Sequence, residues 1–208
     1  MIFQNDALIV GLTGMSGAGK TTACGVFREC GYAVADCDRI ARRVTEKGKP
    51  ALREIVRRFG AEYLDSDGAL NRRALGKLIF SSEADRLALD ELIYPYISYE
   101  MISLVISYID RGFRLILLDA PTLFESGTDT LCDRIVAIVS DREKCIERIV
   151  ARDALPLVQA RDRLSSQFSA EFYRSRSDFC VENNGSEEDL KERVREIAAR
   201  IGEGRDCR

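Results

Sequence analysis

Residues 10–22, VGLTGMSGAGKTT, end an apolar run in three glycines, a lysine and two threonines. Within them Gly14-Met15-Ser16-Gly17-Ala18-Gly19-Lys20-Thr21 satisfies G-x-x-x-x-G-K-[ST] in full. Glycines at 14, 17 and 19 permit backbone angles that turn successive N–H groups inward, making a concave anion nest. A helix begun at the loop's end adds its positive dipole end to the same spot. Lys20 has the reach for β and γ phosphates, and the Thr21 hydroxyl is a ligand for Mg²⁺. A chance glycine-rich turn is the competing reading, and the length of the motif and its place before a helix argue against it. The loop therefore predicts a bound nucleoside triphosphate.

Three further groups of residues bear on where the phosphate goes. Asp36 and Asp38 follow a short apolar segment, and alternation along an extended chain points both carboxylates the same way, one of them able to orient or deprotonate a hydroxyl. An equally weighted alternative has Asp38 capping a helix that starts at Arg39. Asp119 ends the apolar run Leu115–Leu118, where a carboxylate can hold Mg²⁺ or one of its waters, although strands often end in aspartate. Residues 142–176 hold eight basic side chains against five acidic ones. Of these, Arg148 and Arg152 stand at i, i+4 and share a helix face. Over a phosphate loop, such arginines stabilise charge on a transferring phosphoryl group; without one they read as a solvated face paired with Glu147 and Asp153.

Positioning these groups requires a particular order of elements. Ala7–Leu12, Tyr32–Ala35, Arg114–Leu118, Arg134–Val139 and Phe179–Glu182 read as five short buried strands. Helices are expected over Thr21–Cys30 with Gly31 closing it, over 70–80 with Asn71 as its cap, from about Asp141, and over Glu187–Ile201. Pro95 reads as the first turn of another helix running through Met101, Leu104 and Tyr108. The order β-α-β, helices, β, β-α, helices, β-α implies an α/β fold with a parallel sheet covered on both faces, its polar strand ends lining the site.

Composition removes several classes of chemistry. The chain has 208 residues, a formal charge of −3 and no histidine, so a Ser-His-Asp triad, a His-ligated metal and a histidine base are all excluded. The acidic balance argues against a general nucleic-acid binder. No window approaches the roughly 20 apolar residues of a membrane span, and there is no basic-then-apolar leader. The seven cysteines, Cys24, Cys30, Cys37, Cys132, Cys145, Cys180 and Cys207, are odd in number and lack C-x-x-C spacing. They suit reduced, mostly buried thiols in a cytoplasmic protein. A guanine-reading N-K-x-D tetrad is absent, which favours a kinase over a switch GTPase.

Six blocks, GLTGMSGAGKTT (11–22), DCDRIAR (36–42), LNRRALGKLIF (70–80), DAPTLFE (119–125), RIVARD (148–153) and ENNGS (182–186), fall in the order and spacing of the dephospho-coenzyme A kinases, which the chain resembles over nearly its whole length. The resemblance implies a three-layer P-loop NTPase core, with a helical substrate-binding insertion at 45–110 and a helical lid at 148–176, all within one domain over 1–208. It implies transfer of the ATP γ-phosphoryl group to the ribose 3′-hydroxyl of dephospho-CoA. By position, Gly17, Ala18, Gly19, Lys20, Thr21 and Thr22 would bind ATP phosphates, with Gly14 opening the loop. Asp38 would sit at the acceptor hydroxyl, Asp119 at the metal-bound phosphates, Arg148 and Arg152 on the lid, and Asn183 and Gly185 near adenine. Tyr94 stands where the family usually has histidine before Pro95, and Thr122 where it usually has leucine. A common lysine is missing near Tyr173. The expected partners are ATP, Mg²⁺ and dephospho-CoA, with no nucleic acid and no membrane. A kinase of another hydroxyl metabolite and a non-catalytic nucleotide-binding module are the rival readings.

Overall fold

A computed structural model describes residues 7–203. They form β1 (Leu8–Gly14), α1 (Lys20–Glu29), β2 (Ala33–Asp36), α2 (Cys37–Val44), α3 (Pro50–Phe59), α4 (Arg72–Ser81), α5 (Glu83–Asp110), β3 (Leu115–Asp119), β4 (Arg134–Val139), α6 (Arg142–Asp153), α7 (Leu157–Ser165), α8 (Ala170–Arg176), β5 (Phe179–Glu182) and α9 (Glu187–Glu203). The described residues divide into two compact units, one of residues 7–35 and 108–203, the other of residues 36–107.

The first unit carries a five-stranded parallel sheet in the order β2-β3-β1-β4-β5 with helices on both faces, the α/β arrangement the sequence predicts. Its central strands show no polar alternation because neither face meets water: Val10, Leu12, Ile116, Leu117 and Val136 through Val139 are all buried. Helix α1 turns Ala23, Cys24, Val26 and Phe27 inward, and it packs against α9. The Tyr32 hydroxyl ties the same region together by donating to the Ala198 carbonyl at 3.0 Å. Gly31, at φ 87°, lets the chain leave α1 and enter β2 directly. The β1–β3 register sets Leu12 beside Asp119, so the strand-end carboxylate lies level with the approach to the phosphate loop.

The second unit is helical. One cluster in it buries Ile55, Leu75 and Leu89, with Phe59, Leu78 and Leu92 among the side chains packed around them, and Ile40, Val44, Leu52, Met101 and Val105 are buried too. Asn71 caps α4 as expected, its side chain accepting from the Ala74 N–H at 2.9 Å. Arg72 reaches the end of α2, donating to the Arg42 carbonyl and to the Thr45 hydroxyl.

Three expectations need correction here. Pro95 does not start a helix; it lies inside α5, which runs for 28 residues. Pro95 and Glu91, whose carbonyl loses its N–H partner, both lie on the exposed side, where water can take the missing bond. Splitting the helix at Pro95 also hid its apolar length. Residues 92–109 carry one charge, Glu100, so α5 is long and apolar enough to cross a membrane by length and composition alone. Finally, of the six described cysteines, all thiols, only Cys24 and Cys145 are buried, fewer than the pattern suggests. Cys207 lies outside the described residues.

Candidate nucleotide site

The phosphate loop is shaped by backbone approaches that only glycine allows. Gly14 (φ 129°) comes so near β4 that a Cβ there would lie 2.0 Å from the Ile138 carbonyl oxygen. At Gly17 (φ 77°) it would meet the Cys145 carbonyl at 2.5 Å. At Gly19 (φ 108°) it would meet Asn183 Nδ2 at 2.6 Å. Both the left-handed angles and the contacts thus require glycine. Gly19 is also the cap of α1 and offers no side chain to the first-turn N–H groups, which are left to bind oxygens of a ligand.

Lys20 folds back over the loop's first half, Nζ donating to the Gly14 carbonyl at 2.8 Å and to the Met15 carbonyl at 3.0 Å. Thr21, in the first turn of α1, is exposed, and Thr22 is half-buried. Ala18 is fully buried, and its carbonyl accepts from Asn183 Nδ2 at 2.8 Å. This bond fastens the turn after β5 to the phosphate loop. Gly185 closes on the start of α9, where a Cβ would meet Asp189 Oδ2 at 2.6 Å. Ser186 and Asp189 cap that helix reciprocally, each side chain accepting the other's backbone N–H. The Ser186 backbone bond, first, holds the Asp189 carboxyl below its usual value.

Arg148 and Arg152 share a helix but not a role in this geometry. Arg148 Nη1 donates to the carbonyls of Gly17 (3.4 Å) and Asn183 (3.2 Å) and lies 3.3 Å from Ser140 Oγ. It therefore joins the phosphate loop, β4 and the turn after β5. Arg152 forks onto Asp153 at 2.7 and 2.9 Å, and Arg163 shares that carboxylate at 2.9 Å. The hydrogen bonds from Arg152, chiefly, hold the Asp153 carboxyl below its usual range.

The two aspartates at the junction of β2 and α2 divide differently from either sequence reading. Asp36 is the cap of α2, its carboxylate accepting from the Arg39 N–H at 2.8 Å, and Asp38 is the second residue of the helix. Asp38 is therefore not the cap. Nor do the two carboxylates share an extended segment, because the strand ends at Asp36 and helical geometry begins at Cys37.

Magnesium needs hard oxygen donors and often only one or two carboxylates, with phosphates and waters completing the shell. The Thr21 hydroxyl and the Asp119 carboxylate fit that demand in chemistry. Among the described residues there is no cluster of three or more metal-binding side chains, so phosphate oxygens would have to supply the rest.

Four residues escaped the sequence reading. Ser140 and Asn184 lace the end of β4 to the turn after β5, Ser140 Oγ donating to the Asn183 carbonyl and the Asn184 amide pairing with Asp141. Glu125 is a neighbour of Lys20: burial pushes its carboxyl up, while the Lys20 charge pulls the other way. A second acid six residues after Asp119, inside the 119–125 block, was its only signal. Gln167 places Oε1 2.9 Å from the Ser16 backbone nitrogen, and no local pattern announces that bond.

A family profile described as dephospho-CoA kinase matches residues 8–189. A protein of Syntrophotalea carbinolica named dephospho-CoA kinase is 38% identical over 197 residues, covering 95% of this chain and 93% of its own. A Bacillus cereus protein of the same name is 38% identical over 179 residues, covering 86% and 90%. The crystal structure of a Thermus thermophilus protein matches with a TM-score of 0.78 at 30% identity, over 93% of this chain and 97% of that one. The dephospho-CoA kinase structure from Campylobacter jejuni matches in fold, with a TM-score of 0.70 at 23% identity over 94% and 98%.

Proposed function

The chain belongs to the dephospho-CoA kinase family, and we propose that it transfers the γ-phosphoryl group of ATP to the ribose 3′-hydroxyl of dephospho-CoA, giving coenzyme A. The observation that carries this reading is the complete phosphate loop, with three glycines at positive φ and Lys20 over its first half, in a chain matched by the family from residue 8 to 189.

The chemistry asked of the protein is mostly positioning and charge neutralisation. The loop's N–H groups and the start of α1 hold the β and γ phosphates. Lys20 leaves the Gly14 and Met15 carbonyls for phosphate oxygens, exchanging neutral acceptors for charged ones. Bound Mg²⁺, held by Thr21 and Asp119, would neutralise charge on the phosphates. Arg148, already bonded to the Gly17 carbonyl, would help neutralise the transferring phosphoryl group, and Asn183 and Gly185 would lie near the adenine. Arg152 is drawn from Asp153 when a more highly charged phosphate competes for its guanidinium. Asp38 accepts or orients the proton of the attacking hydroxyl. Residues 45–110 supply the acceptor's binding surface and 148–176 the lid, which excludes water and limits futile hydrolysis of ATP. The cysteines present as thiols support a reducing, cytoplasmic setting.

The test is CoA formation from Mg²⁺-ATP and dephospho-CoA, followed by mass spectrometry. Wild type should form CoA, and Lys20→Ala should form none. Asp38→Asn should lose about 100-fold or more in turnover while ATP affinity holds, the range for a positioned proton acceptor. An active Asp38→Asn variant would remove Asp38 from the chemistry. ATP binding without CoA would reject this acceptor and point to another hydroxyl substrate.

A further inference from the structure

Ser16, the third residue of the phosphate loop, is 6% exposed, and its backbone N–H donates to Oε1 of Gln167 at 2.9 Å, 151 residues along the chain. The partner of an N–H must be the carboxamide oxygen, so the amide's orientation is fixed and its NH₂ is turned away from Ser16. That NH₂ has no hydrogen-bond partner among the described residues.

The segment that carries Gln167 is itself well held. Its backbone N–H bonds to the Leu164 carbonyl, and Leu164 is buried in the core of the sheet unit. On the other side, Ser169 caps α8 by accepting from the Phe172 N–H, and Phe168 stacks on Phe172 with ring centroids 3.8 Å apart. The side chain is therefore presented from a fixed turn between α7 and α8. Beside that turn, Gln167 itself, with Met15, Ser140, Phe168 and Asn184, borders a cavity of about 360 Å³.

Lys20 Nζ rests on the carbonyls of Gly14 and Met15, the two residues immediately before Ser16. The ammonium and the carboxamide thus attach to adjoining residues of a loop whose backbone and lysine are suited to cradle β and γ phosphates. We propose that Gln167 binds the γ-phosphoryl group of ATP, its oxygen anchored on the Ser16 N–H and its NH₂ donating to a γ oxygen beside Lys20. The inference rests on ATP being the donor and on nothing about the acceptor. An anchored amide is a neutral donor whose orientation is set before the ligand arrives, so it favours ATP over ADP without trapping the product.

The experiment is calorimetric binding of ATP and of ADP to full-length wild type, Gln167→Met and Gln167→Glu, with Mg²⁺ present and hydrogen exchange read at the Ser16 amide. Thermal melts of each variant verify folding. Gln167→Met keeps the length but has no donor or acceptor, and it should expose the Ser16 amide and weaken ATP about tenfold while ADP changes less than about twofold, as for a bond to a charged group. Gln167→Glu keeps the acceptor, and so the Ser16 protection, but should still lose the preference for ATP. ATP and ADP falling together in either folded variant would make Gln167 a structural tie and overturn the proposal. So would a Glu variant that keeps both the protection and the ATP preference. Wild type that binds ATP but forms no CoA would reject the acceptor assignment and leave this result standing. Wild type that binds neither nucleotide would overturn both.

Discussion

Around the phosphate loop, geometry is set by backbone contacts too close for a Cβ, with Gly14, Gly17 and Gly19 each meeting a fixed neighbour. The helical unit of residues 36–107 is built otherwise. Side-chain packing holds it: Ile55, Leu75 and Leu89 form one buried cluster, and Ile40, Val44, Leu52, Met101 and Val105 are buried as well, with Arg72 on the end of α2 and the exposed Arg43–Glu100 pair at 2.6 Å. An exposed pair of that kind contributes about 1 kcal/mol or less. The sheet unit, by contrast, buries a continuous core from Val10 to Ile201. The difference teaches that the nucleotide end is fixed by close backbone approaches, while the helical unit depends on the packing of its side chains.

The sharpest way to break this contrast is at its tightest point. Gly14→Ala puts a methyl 2.0 Å from the Ile138 carbonyl, at a φ that L residues rarely adopt, and disturbs the Met15 N–H bond to that same oxygen. The loss should be about 4 kcal/mol or more, at the upper end for single substitutions, with nucleotide binding abolished. Urea unfolding and ATP titration would measure both. A variant within about 1 kcal/mol of wild type would show that β4 gives way easily and that the loop is less fixed than the contacts imply.

Leu75→Ala, at a site 4% exposed, tests the other unit. It should cost about 2–5 kcal/mol, the usual range for an emptied leucine site. In a cluster of only Ile55, Leu75 and Leu89 that is enough to open the packing of α3, α4 and α5 before the sheet unit melts. The expected result is a second, earlier unfolding transition with ATP affinity retained and CoA formation lost. A single cooperative transition would mean that the two units unfold together.

The smallest effect is expected inside the sheet unit. Tyr173 is fully buried, and its hydroxyl has no partner among the described residues. Burial, first, and the Glu125 charge, second, push its phenol up to about 12. The unfolded chain gives up this proton near pH 10, whereas the folded chain keeps it, so stability present below pH 10 is lost as pH rises from 10 toward 12. Tyr173→Phe should gain about 1 kcal/mol at neutral pH by removing an unpaired buried hydroxyl. It should also flatten the alkaline limb, with Tyr32 still contributing, since burial raises its phenol too. Melts at pH 8 and pH 11 read both effects; a loss of stability at pH 8 would show that the hydroxyl has a partner in solution.

Much was legible from residues alone. The β4 and β5 bounds, the Asn71 cap and the loop with its following helix depend on local patterns: apolar runs, a capping side chain, glycines where φ must be positive. Such features are encoded within a few residues, and a sequence displays them directly. Pro95 departs from expectation for the same reason, since proline states a local preference that a long helix with a solvated far side can override. Tertiary structure alone decided the rest. It carried Arg148 to the loop, while Arg152 on the same helix kept the adjacent Asp153 that the sequence already offered as its partner. It made Asp36 the cap and left Asp38 in the helix. It brought Asn183 to Ala18 and Gln167 to Ser16 across more than 150 residues. The Asn183–Ala18 and Gln167–Ser16 pairs are chosen by the closing of the sheet and the landing of the helices upon it, and no pattern within reach of either residue specifies them.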